Sequence, residues 1–181
     1  MAPAVTDDGG RVAALLGRPP LARFEVVVRD GQGGPVVIRN EPFLVDGTPM
    51  PTRYWLVGAD LRDAVSRLEA GGGVRRAESE VDATALAAAH DRYAAERDAA
   101  IPAGWPGPRP RGGVGGARAG VKCLHAHLAW FLAGGDDPVG AWVAARLPGA
   151  PPPFLAPKGV KSTTFRAQEA VKPPQGPVVL P

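Results

Sequence analysis

The sequence has a single cysteine, Cys123, so no internal disulfide can form, which agrees with a reducing compartment. No apolar run reaches the roughly 18 residues that a membrane-spanning helix needs. The first ten residues carry neither the basic segment nor the apolar stretch of a secretory signal. These absences together predict a cytoplasmic chain that makes no membrane contact. Aromatic residues are also sparse, at 6%. The 21 Lys and Arg residues are scattered among 18 Asp and Glu, for a formal charge of +3. A basic stripe with interleaved aromatic platforms is missing, so nucleic acid is not the expected ligand in spite of a pI near 9.4. No internal repeat is visible.

What the chain does have is enough apolar content, 45% of 181 residues, to bury a core of one domain. It also has 24 glycines and 21 prolines, about a quarter of its length, which predicts extensive turns, loops and tail. Thr6 or Asp7 can cap a short helix with Val12, Leu15 and Leu16 on its apolar face, stopped by Gly17. Two β-branched runs, 24–29 and 35–39, flank the flexible turn 30–34 and read as an antiparallel hairpin. A third short strand is expected at 43–45, ended by Asp46-Gly47, and a fourth at 52–57.

The period then changes from two to 3.6. Asp60 is expected to cap a helix with Leu61, Ala64, Val65 and Leu68 on one face, ended by Gly71-Gly72-Gly73. A second long helix runs from about 82 to 100, with Leu86, Ala89 and Tyr93 inward, closed by Ile101-Pro102. Helices are further expected at 121–133 and 138–147, the last capped by Asp136 or Asp137 with Pro138 in its first turn. The predicted architecture is therefore α+β: a small antiparallel sheet of three to four strands at about 23–57, packed with about four helices. Residues 1–147 form a single domain in this reading, with a long Gly/Pro/Arg loop at 102–119. Residues 148–181 hold nine prolines and no sustained periodicity, and read as a disordered, mildly basic tail.

One segment concentrates chemistry. A glycine-rich loop starting at Gly112 runs into a helix start at Val121. Unpaired amides at such a junction, beside Gly115, Gly116 and Gly120, suit an anion, and Arg118 and Lys122 add formal charge. The spacing matches neither a P-loop nor a dinucleotide fingerprint, so the expected ligand is generic: a small, phosphorylated anion. Cys123, His125 and His127 follow as candidate acid, base or nucleophile. On a continuous helix, Cys123 and His127 share a face while His125 points nearly opposite. That pair reads as a nucleophile with its base, as two zinc ligands, or as buried structural side chains. Two ligands do not hold a structural zinc without help, and nothing in the sequence brings His90 near, so no metal and no cofactor is assigned. Asp46 and Arg53 are further candidates for the edge of a ligand pocket. The alternative to ligand binding, with or without catalysis, is a non-enzymatic adaptor that captures a protein partner through the proline-rich tail.

Several strings carry a resemblance. They are Leu16-Gly17-Arg18-Pro19-Pro20, the stretch from Asp46 to Leu56, Ser66-Arg67-Leu68-Glu69, Gly120-Val121-Lys122-Cys123-Leu124-His125-Ala126-His127, and the stretch from Ala133 to Gly140. Over about residues 10–147 the chain resembles the bacterial domain of unknown function 501. Members of that family are often encoded beside a septum-formation initiator protein and an exopolyphosphatase. The resemblance thus implies an association with division or polyphosphate metabolism, and no mechanism. Similar proteins often carry cysteines in the first hairpin turn and after the Tyr-Trp-Leu strand, where this chain has Asp30 and Gly58.

Overall fold

A computed structural model of the chain describes residues 7–147. The tail at 148–181, and with it the adaptor expectation, lies outside the described residues. Helix α1 (Asp8–Leu16) starts where the Asp7 carboxylate accepts the Gly10 N–H at 2.9 Å, and ends at Gly17, whose φ of 71° only glycine adopts at little cost. Strands β1 (Ala22–Arg29) and β2 (Pro35–Leu44) form the hairpin. In its turn, Asp30 Oδ1 accepts the N–H groups of Gln32 and Gly34. Strand β3 (Tyr54–Leu56) pairs antiparallel with β2, giving the order β1-β2-β3.

The sheet is covered on both faces, and the adjacent β2 residues Val37 and Ile38 join clusters on opposite faces. Ile38 joins Phe24, Val57 and Val12 of α1 in a small cluster. Val37 and Leu56 face the other way, into the main core with Leu124, Leu128 and Leu132. That larger layer comprises α2 (Ala59–Ala70), α3 (Gly73–Glu80), α4 (Ala83–Ala99), α5 (Leu124–Leu132) and α6 (Pro138–Ala144). Leu124, Leu128 and Leu132 are fully buried, and each contributes about 1.5–3 kcal/mol of transfer free energy. None of the described helices is long and apolar enough to cross a membrane.

Four local expectations are corrected. Residues 43–45 are not a separate strand: β2 continues through Phe43 and Leu44, and Phe43 bridges to Pro49 beyond the turn. Pro42 is tolerated because its missing donor falls between the bonds from Asn40 N to Arg53 O and from Leu44 N to Thr48 O. Second, Asp60 is not the cap of α2 but lies in its first turn, Gly58 being the cap residue. Third, the glycine triplet ends α2 but does not end helical structure. Gly72, at φ 81°, reverses the chain into α3, whose apolar positions Val74 and Ala77, with the cap residue Val81, pack against the main core. A Cβ on Gly73 would meet Leu68 O at 2.5 Å, so close approach demands glycine there. Fourth, α5 begins at Leu124 rather than Val121, because Cys123 is extended at φ −158°, ψ 121°.

Candidate functional site

The start of α5 is capped from a distant helix. Cys123 occupies the cap position but makes no side-chain cap bond. Glu69, in the last turn of α2, supplies it: Oε1 accepts the Leu124 N–H at 2.7 Å. His125, one residue on, lies between the same two helices. Its Nε2 is 3.1 Å from the Arg62 carbonyl and 3.2 Å from Ser66 Oγ. A carbonyl only accepts, so Nε2 carries a hydrogen, and Ser66, whose own hydroxyl donates to Arg62 O, accepts with its free lone pairs. Nδ1 of the same ring faces Glu69 Oε1 at 3.3 Å and Cys123 Sγ at 3.7 Å. The Cys123 contact, aided by the Glu69 charge and opposed by burial, pushes the imidazole pKa up to about 8. Cys123 and His125 are both half-buried, so solvent reaches them.

The expected pairing of Cys123 with His127 is therefore replaced by Cys123 with His125. The helical spacing fails because Cys123 lies before the helix rather than in it. His127 is sealed instead, at 0% side-chain exposure, with Nδ1 2.7 Å from Asp137 Oδ2 and 3.0 Å from Oδ1. Asp137 Oδ1 also accepts from Val139 and Gly140, capping α6. His127 Nε2 has no hydrogen-bond partner among the described residues. Its ring lies edge-on to His90, centroid to centroid 5.8 Å. His90 is committed elsewhere: Nδ1 accepts from Val114 N at 3.0 Å, so Nε2 donates to Gly120 O at 2.9 Å.

The glycine-rich loop is folded upon itself. Gly113 N bonds Ala117 O, Gly116 N bonds Gly113 O, and the buried Arg97 guanidinium donates to Gly112 O. The positive φ angles of Gly112, Gly115, Gly116 and Gly120 permit this path. A Cβ on Gly113 would stand 2.3 Å from His90 Nδ1, so only glycine fits against that ring. Two amides that sequence reasoning offers to an anion are already taken by carboxylates of the chain itself. Glu78 Oε1 accepts from Val121 N at 2.7 Å, and Glu69 takes Leu124 N. Arg118 and Lys122 are exposed and form no ion pair among the described residues.

Asp46 and Arg53 are not brought together. Asp46 is exposed and accepts the Thr48 N–H at 2.9 Å, as an ordinary turn aspartate does. Arg53 is largely buried at 12% side-chain exposure, 3.6 Å from Glu96 Oε1. It lines a separate cavity of about 430 Å³ with Arg23, Glu25, Arg39, Asn40 and Phe43. Sequence reasoning missed Glu69, Glu78 and Ser66 as site residues. The one signal that touches them is the resemblance string at 66–69, which holds two of the three. The departures at Asp30 and Gly58 fall outside this site: Asp30 holds the hairpin turn, and Gly58 N donates to Val36 O.

A family model described as a protein of unknown function, DUF501, matches residues 26–145. The chain belongs to that family. No curated protein and no solved structure matches it.

Proposed function

We propose, for this member of the DUF501 family, that it binds a small anionic, phosphorylated ligand where the glycine-rich loop meets α5, with Cys123 and His125 as the reactive pair. The observation that carries the reading is the 3.7 Å approach of Cys123 Sγ to His125 Nδ1 at a solvent-reachable helix start. A thiol there can pass its proton to Nδ1, leaving a thiolate near the positive end of the α5 dipole. Arg62 O and Ser66 hold the ring in the tautomer that receives the proton. Because the Val121 and Leu124 amides are engaged, recognition of the anion falls to the exposed side chains of Arg118 and Lys122 rather than to a backbone cradle. His127, sealed against Asp137, supports the helix and does not meet the ligand.

The test uses the single cysteine. Cys123 should react with iodoacetamide faster at neutral pH in the wild type than in His125→Ala, by several-fold, with little change in melting temperature. Pyrophosphate, polyphosphate and nucleotides are then screened by thermal unfolding. A ligand at a hundredfold excess over its dissociation constant adds about 2.7 kcal/mol. That shift should vanish in the double variant Arg118→Ala, Lys122→Ala. Equal alkylation rates together with no anion-dependent shift would remove the reading.

A further inference from the structure

We infer that Glu69, Cys123 and His125 form a three-ligand site for a zinc-type divalent ion, with its fourth position open to solvent. The inference rests on the reading above for its location and, in the metal-loaded form, turns that reading's reactive pair into ligands. Its first support is orientation. Nε2 of His125 donates to the Arg62 carbonyl, so the Nδ1 lone pair is turned toward Glu69 Oε1 and Cys123 Sγ. Three lone-pair-bearing atoms thus converge, all within 4.8 Å of one another. Such a group is repulsive unless a proton or a cation lies between its members.

The second support is size. A tetrahedral zinc holds sulfur at about 2.3 Å and nitrogen or oxygen at about 2.0–2.1 Å, which sets an S···N edge of about 3.6 Å and an N···O edge of about 3.3 Å. The observed separations are 3.7 Å and 3.3 Å. Two edges of the coordination tetrahedron are therefore already built before any ion arrives.

The third support is the surrounding shell. Metal-bound histidines pass their other ring N–H to a carbonyl or carboxylate, and here the Arg62 carbonyl and Ser66 receive it. The Glu69 carboxylate is held in turn by the Leu124 amide. A thiolate with an imidazole and one carboxylate selects zinc or cobalt over magnesium and calcium. With only three protein ligands, all of them partly exposed, the fourth position is left for water or for the phosphoryl oxygen of an anion. In the loaded form Cys123 is a ligand, and the anion meets the metal rather than the thiol.

Cobalt(II) and zinc titrations of the untagged full chain test this. One equivalent of cobalt should bind and give the near-ultraviolet absorption of a thiolate-to-metal charge transfer, and zinc should displace it. Cys123→Ser should lose that absorption. His125→Ala and Glu69→Gln, the latter keeping an oxygen for the Leu124 amide, should each weaken zinc by tenfold or more. Zinc should also slow alkylation of Cys123 in the wild type by at least tenfold, a readout that needs no variant to fold. Absence of the charge-transfer band, or zinc affinity unchanged in Glu69→Gln and His125→Ala, overturns the site. An anion-dependent thermal shift that survives a chelator would sink the metal and keep the anion reading. Zinc binding with no anion shift in either form would do the reverse.

Discussion

His125 and His127 stand two residues apart at the start of α5, and each turns Nδ1 toward a carboxylate, yet the two rings have opposite surroundings. His127 has a buried aspartate on one nitrogen, no hydrogen-bond partner on the other among the described residues, and no side-chain exposure. His125 has its second nitrogen satisfied by Arg62 O and Ser66, and its first shared between Glu69 and a thiol that solvent reaches. A two-residue step on a helix rotates a side chain by about 200°, so one ring enters the core and the other stays at the α2–α5 seam. The partner carboxylates follow suit. Asp137 is consumed by three donors, the ring and two backbone amides, whereas Glu69 keeps a face toward Cys123 and His125. The same pair of residue types thus makes a structural pin in one place and a reactive or metal-binding cluster in the other. What decides is whether the surrounding donors exhaust the carboxylate.

The largest expected effect lies at the pin. Asp137→Ala removes the partner of a fully buried ring and the cap of α6 in one step. Leaving the ring N–H without its acceptor costs about 1–3 kcal/mol, and the lost cap about 0.5–2 kcal/mol more. At 2–4 °C per kcal/mol for a chain of this size, the melting temperature should fall by roughly 3–20 °C. Zinc affinity measured below that midpoint should be unchanged. A stable Asp137→Ala protein that has lost zinc or anion binding would erase the contrast between the two histidines.

The next effect belongs to the seam. Glu69→Ala uncaps α5, at a cost of about 0.5–2 kcal/mol, while Glu69→Gln keeps an acceptor for Leu124 and should cost less. Cys123→Ser alters a partly buried side chain that makes no cap bond but packs against the main core, and should change stability by about 1 kcal/mol or less. Thermal unfolding of the three variants gives the ranking directly. If Cys123→Ser proves as damaging as Asp137→Ala, the thiol is core, and its chemistry is incidental.

Much of the frame is legible in local sequence because its punctuation is local. Asp7 and Gly17 bound α1, Asp82 starts α4 by accepting from Ala85, and Asp137 with Pro138 starts α6. The β-branched runs 24–29 and 35–39, on either side of the turn 30–34, yield the hairpin directly. Helix α3 was hidden because three successive glycines read as a terminus, while only the packing of Gly73 against Leu68 and Leu124 shows why the chain re-enters a helix there. The site was half legible. Cys123 and His125 stand out as residue types, but their pairing depends on where α5 begins. That boundary is set by a carboxylate 55 residues upstream. No window of sequence contains that information. The glycine loop misled for a similar reason: its open amides look available until Glu78 and Glu69 arrive from α3 and α2.

The smallest effect sharpens the comparison through pH, in the metal-free protein held in a chelator. The pKa of His125 is raised from an ordinary 6.5 to about 8. The folded state therefore binds the proton more tightly than the unfolded chain, and the contact stabilises the protein fully below about pH 6.5. That contribution is lost as pH rises through about 8. The ring is only partly buried, so solvent screening reduces the contribution to no more than about 1 kcal/mol. Melting temperature should accordingly drift down by a few degrees between pH 6 and pH 9. His125→Gln should flatten that part of the profile, because the titrating group is gone. A slope that persists in His125→Gln would place the titrating group elsewhere and leave the 3.7 Å contact without a thermodynamic signature.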